Sequence, residues 1–102
     1  MENLDELKKE ELKNLAIEVD KILKQELDKE IIDYTLAEAR IYNIKTVGVQ
    51  GEYRTYSYPA EITLYQKGKF FWDEDFLSRL STRITNEIKD INKVVYLTGF
   101  KN

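Results

Sequence analysis

An α+β fold, with helices over one face of a small antiparallel sheet of about three strands, is predicted by three features of this 102-residue sequence. Apolar residues recur at helical spacing over 4–27 and again over 73–88. A strict alternation runs through 55–64. A short run of Val94, Val95, Tyr96 and Leu97 follows. The length suits a single domain, taken as 1–102 with its core over 39–98.

The first helix spans 4–27. Leu12, Leu15, Ala16, Val19, Ile22 and Leu23 step by three and four and so share one stripe, which Leu4 and Leu7 extend less regularly. Asn3 with Glu6 resembles a capping box, and Asp5 and Glu6 suit the positive end of the helix dipole. Such a helix is roughly 36 Å long, more than the diameter of a domain this small. Its first turns therefore project, pack on a partner or fray. A short second helix is expected over 29–37, with Ile31, Ile32 and Leu36 on its buried side. The pattern then changes to strand from Ala39, through Ile44, Val47 and Val49, to a turn at Gly51.

The next strand has period two. Tyr56, Tyr58, Ala60, Ile62 and Leu64 face one way, while Thr55, Ser57, Glu61 and Thr63 face the other, completing a hairpin. Pro59 cannot donate to a ladder, so this strand is expected to be an edge or to carry a bulge there. A loop over 66–72 leads to Asp73, which caps a helix running to about Ile88 with Phe76, Leu77, Leu80, Ile84 and Ile88 on one face. Val94 to Leu97 form the last strand. The expected order is ααββαβ.

Composition excludes several chemistries. With no Cys and no His, the chain has no disulfide, no cysteine nucleophile, no Cys/His zinc site and no histidine acid–base catalyst. The net charge is −3, split into −5 over 1–40 and +2 over 41–102, which argues against general nucleic-acid binding. No apolar run is long enough to span a membrane, and the acidic N-terminus is unlike a signal peptide, so a cytoplasmic location is expected. None of the four glycines opens a phosphate-binding pattern. Asp73 and Asp75 read as dipole complements at a helix start rather than as metal ligands or an acid–base pair. Phe70, Phe71 and Trp72 beside Lys67 and Lys69 are able to stack a planar ring, but fold more simply over the sheet or into a partner. The residues themselves thus give no catalytic set, no metal site and no cofactor.

Two stretches carry more. One is Lys45-Thr46-Val47-Gly48-Val49-Gln50-Gly51-Glu52-Tyr53-Arg54-Thr55-Tyr56-Ser57-Tyr58-Pro59. The other is Ser81-Thr82-Arg83-Ile84-Thr85-Asn86-Glu87-Ile88, followed by Asn92-Lys93-Val94-Val95-Tyr96. Together they resemble the C-terminal dimerisation domain of GMP synthetase, closely over 42–97 and more loosely over 10–38. That family makes GMP from XMP with ATP and glutamine-derived ammonia, in the purine nucleotide pathway, and its amidotransferase and ATP-pyrophosphatase motifs are missing here. The resemblance implies a dimerisation and interaction module that is not catalytic alone. Its implied partners are a second copy of the chain and an ATP-pyrophosphatase subunit.

The same resemblance leaves two alternatives. One is a subunit that completes an XMP site in trans, and the other is a small nucleotide-sensing regulator. The XMP contacts it implies are Gln50 and Lys93. Lys93 stands where the family has Arg, which keeps the charge and loses the bidentate fork. A turn glutamine and a strand-start lysine also need no ligand. After Tyr96 the sequence departs from the family's Lys-Pro-Pro segment and last strand, more like the inner copy in two-copy forms. An incomplete nucleotide site, weak or absent XMP binding and an open sheet edge are therefore expected.

Overall fold

A computed structural model describes residues 4–43, 46–50 and 53–98, with side chains over 8–43 and 57–98. Helix α1 (Leu4–Lys29) leads to β1 (Leu36–Ile41), β2 (Thr46–Gln50), β3 (Tyr53–Gln66) and the two-residue β4 (Lys69–Phe70). Helix α2 (Glu74–Glu87) and β5 (Ile91–Tyr96) follow. The α+β class is as the sequence predicts. Asn3, Ile44 and Gly51 lie outside the described residues, as do the side chains of Leu4, Leu7, Val47, Val49, Thr55 and Tyr56.

Strand β3 is the hub. It pairs antiparallel with β1 (Ala39 opposite Ile62), with β2 (Gly48 opposite Thr55) and with β4 (Tyr65 opposite Phe70). Backbone groups along a strand alternate in direction. The carbonyls of Pro59 and Tyr65 accept from Tyr42 and Thr35 on the β1 side. Those of Ile62 and Leu64 accept from Leu97 and Phe71 on the other. β3 is therefore central, with β1 on one flank and β4 and β5 on the opposite one. Pro59 is accommodated by the second of the two expected means, a register shift between Tyr58 and Pro59 in the β3–β5 ladder.

The sheet differs from expectation in its last strand. β5 begins at Ile91 and runs parallel to β3, with Ala60 opposite Val94 and Ile62 opposite Tyr96. The reason is connectivity. After the hairpin at Lys67-Gly68, where Gly68 takes φ 90, α2 carries the chain back along the sheet, so β5 starts from the end at which β3 starts.

The core lies between the sheet and the two helices. Leu15, Val19, Ile22, Leu23 and Leu27 of α1 meet Ala37, Tyr58, Ala60, Ile62 and Leu64 of the sheet. Phe76, Leu77, Leu80, Ile84, Ile88 and Ile91 close the other half. Asp73 caps α2 by accepting from the Phe76 amide at 3.1 Å, as the sequence indicates. The outward side of β3 is less polar in surroundings than the alternation suggests. Ser57 and Thr63 are buried because a central strand is walled by neighbours on both flanks.

No helix forms over 29–37. α1 ends in a Schellman arrangement, in which the Ile32 amide reaches the Leu27 carbonyl at 2.9 Å and the Ile31 amide reaches that of Asp28 at 3.2 Å. Ile31 occupies the left-handed position at φ 55, where glycine is usual, while Ile32 packs against the core. The chain is thereby turned, and Leu36 begins β1 instead of ending a helix. A β-branched residue in this conformation costs about 1–2 kcal/mol, and the Ile31 side chain is 88% exposed, so it returns nothing by burial. Ile31→Gly is expected to raise unfolding stability by about 0.5–1 kcal/mol, after the extra freedom glycine gives the unfolded chain is deducted. A urea titration showing a lower midpoint would contradict this account.

Candidate functional site

The two residues singled out for nucleotide contact sit on different parts of the sheet. Gln50 ends β2 with its backbone paired to Tyr53, and its side chain is outside the described residues. Lys93 is exposed on β5, with its Cα opposite Pro59. Tyr53 and Pro59 are six residues apart, roughly 20 Å along the strand. The fold of one chain does not bring the two positions together.

The aromatic segment after β3 is divided by the fold. Phe70 stands edge-on to Tyr65 with ring centroids 5.1 Å apart, and Phe71 edge-on to Phe76 at 5.6 Å. Both are used in packing, whereas Trp72 is 62% exposed. Lys67 and Lys69 line a shallow cavity of about 330 Å³ with Asp33, Tyr34, Thr35 and Gln66. Its walls are tied by the Gln66 amide donating to the Asp33 carbonyl at 2.7 Å and the Lys67 amide donating to Thr35 Oγ1 at 3.2 Å. Asp75, like Glu74, lies in the first turn of α2 and is exposed, as befits a dipole complement. Among the described residues no group of three or more Asp and Glu side chains could hold a metal ion.

The most connected polar side chain is Arg83, on α2. Nε donates to Glu87 at 2.7 Å, Nη1 to Glu26 at 2.8 Å and Nη2 to Gln25 at 2.6 Å. The carboxylates of Glu87 and Glu26 hold its pKa above the ordinary arginine value. Glu26 is only 6% exposed, so the fork is what lets a carboxylate sit in the α1–α2 seam. Arg79 and Glu30 repeat the crossing at 3.5 Å one turn away. Sequence reasoning misses this clasp, because the stripe of α1 reads as purely apolar and Glu26 is hidden among helix-surface charges. Elsewhere in the helix layer, the Tyr58 hydroxyl accepts from Lys8 Nζ and donates to Glu11 at 3.2 Å, which fastens the first half of α1.

These features define a two-layer α+β module whose polar side chains mainly join its own elements. The comparisons with known proteins agree on its relatives. The family described as "GMP synthase C terminal domain" matches residues 20–101. A protein named GMP synthase [glutamine-hydrolyzing] from Borreliella burgdorferi (strain N40) is 37% identical over 81% of this chain and 18% of its own length. One of the same name from Ruminiclostridium cellulolyticum is 36% identical over 91% of this chain and 20% of its own. The chain thus spans about a fifth of the length of the curated relatives it matches. It belongs to the GMP synthase C-terminal domain family.

Tyr96 offers a measurable handle on the β5–α2 contact. Its hydroxyl donates to the Leu77 carbonyl at 2.8 Å and lies 2.5 Å from Ser81 Oγ. Burial raises its pKa above the ordinary value of 10.0, and the Ser81 bond offsets this in part. A tyrosine with a raised folded pKa contributes stability that is complete below the unfolded value and is lost as pH rises through the folded one. Tyr96→Phe is expected to cost about 1 kcal/mol at neutral pH and to flatten the fall in melting temperature above pH 10. An unchanged alkaline slope would exclude this role.

Proposed function

We propose that this chain is a self-associating, non-catalytic module of the GMP synthase kind, which acts through contact with a second copy and with an ATP-pyrophosphatase subunit of purine nucleotide synthesis. The observation that carries the reading is the one-sided architecture. Both helices cover the same face of the sheet, and Leu36 and Val95 stand 42% and 38% exposed on β1 and β5. Apolar side chains on a sheet face and a strand edge that no described residue covers favour association. No helix among the described residues is long and apolar enough to cross a membrane, and the proposed setting is the cytoplasm. XMP is a weak ligand in this reading, because Gln50 and Lys93 are far apart along β3 and Lys93 offers an exposed point charge.

Light scattering of the chain at tens of micromolar is expected to give twice the 12.1 kDa chain mass, and a monomer mass would sink the self-association reading. Calorimetric titration with XMP is expected to be flat below roughly millimolar, a binding free energy near −4 kcal/mol. Saturable tight binding abolished by Lys93→Ala would favour instead completion of a nucleotide site in trans.

A further inference from the structure

The outer edge of β1 lies open beside the flank of α1. Even-numbered residues of β1 direct their backbone groups at β3, as Tyr42 just beyond it does toward Pro59. The N–H and C=O groups of Ala37, Ala39 and Ile41 therefore point away from β3, and no strand among the described residues pairs with them. The side chains of these three turn toward α1. Ala37 is buried there, but Ala39 and Ile41 are only half-buried. With Leu12 and Ala16 of α1 they floor a groove of about 340 Å³ that follows the edge.

The rim of this groove is mainly cationic. Lys9 and Lys13 stand on α1 and Arg40 on β1, against the single carboxylate of Glu38. Among the described residues neither lysine makes an ion pair, whereas Lys24 further along α1 is paired with Asp20 at 3.0 Å. Like charges four residues apart on a helix repel slightly. They are gathered here although residues 1–40 carry a net charge of −5. Lysines that guard an edge sit on the edge strand itself. These two stand on the helix and leave the backbone groups of β1 clear.

We infer that the β1 edge takes an extended acidic segment of a partner protein, added antiparallel as a further strand. The inference goes beyond the self-association reading and does not depend on it. Cross-strand neighbours share a face, so partner side chains opposite Ala39 and Ile41 enter the groove. An aliphatic residue opposite Ala39 fills the space that two alanines leave. α1 and β1 are joined by a short turn and run in opposite directions, which places Lys9 and Lys13 toward the Ile41 end. A carboxylate opposite Ile41 meets them, and one opposite Arg40 pairs on the helix-free face. Main-chain bonds supply the affinity in such strand addition, and the groove and its charges supply the choice. The occupant is a bare strand, because α1 lies beside this edge and a strand bringing a helix on the same face would meet it.

The test uses the whole chain and a fluorescein-labelled peptide, Gly-Glu-Glu-Val-Thr-Val-Gly, whose first valine falls opposite Ala39. Fluorescence anisotropy is expected to saturate with a dissociation constant of about 0.1 mM or tighter. A peptide with lysine in place of both glutamates is expected to bind about tenfold more weakly or worse. Lys9→Glu combined with Lys13→Glu changes only exposed charges and is expected to reverse that preference. N-methylation of the first valine removes the N–H that reaches the Ala39 carbonyl, and it is expected to abolish binding. Ala39→Pro removes an N–H that faces away from β3 and is expected to abolish binding with an unchanged far-ultraviolet spectrum. No saturation below about 1 mM, an unchanged preference in the lysine double variant, or binding that survives N-methylation would each overturn the inference.

Discussion

Each strand pairing among the described residues has β3 as one member, and that dependence organises the rest of the molecule. β3 presents Tyr58, Ala60, Ile62 and Leu64 to the helices, and none of these is more than 3% exposed. Its backbone meanwhile holds β1 on one flank and β4 and β5 on the other. A proline in such a strand removes a donor. The shift in register between Tyr58 and Pro59 absorbs that loss and lets β5 dock alongside. The same strand therefore sets the depth of the core, the position of α2 above β5 and the existence of an open edge at β1.

The helix layer is joined by a different kind of contact. α1 and α2 share Leu and Ile side chains, which fix proximity but not the rotation of one helix about its axis. The Arg83 fork, spanning Glu26, Gln25 and Glu87, is directional and fixes that rotation. A buried carboxylate is weak as pure stabilisation, because desolvation consumes most of the attraction. Its contribution here is to specify which face of α1 meets α2, and that choice leaves Lys9, Lys13 and Ala16 beside the β1 edge.

What the sequence makes legible follows from how local each signal is. α2 can be read almost residue by residue, since the Asp73 cap and the 76, 77, 80, 84, 88 stripe act within one element. The segment after α1 misleads because Ile31 fills a position that glycine normally announces, so Ile31, Ile32 and Leu36 imitate a helical stripe. The direction of β5 is also hidden, as it depends on where α2 delivers the chain and not on any residue of the strand. At the candidate site, Gln50 and Lys93 come from resemblance alone. Arg83 lies in a motif of that resemblance, but its partners Glu26 and Gln25 are 57 and 58 residues away and no spacing links them.

The two flanks of the sheet present different side chains. β1 lies beside α1, where Lys9, Lys13, Glu38 and Arg40 rim a groove floored by Leu12, Ala16, Ala39 and Ile41. Lys93 lies on β5, two strands away and roughly 10 Å across the sheet. The β5 flank differs in carrying Lys93 and Val95, both exposed. Val94 and Tyr96 pack against the core, so the alternating Lys93 and Val95 are left exposed on the helix-free face of this flank.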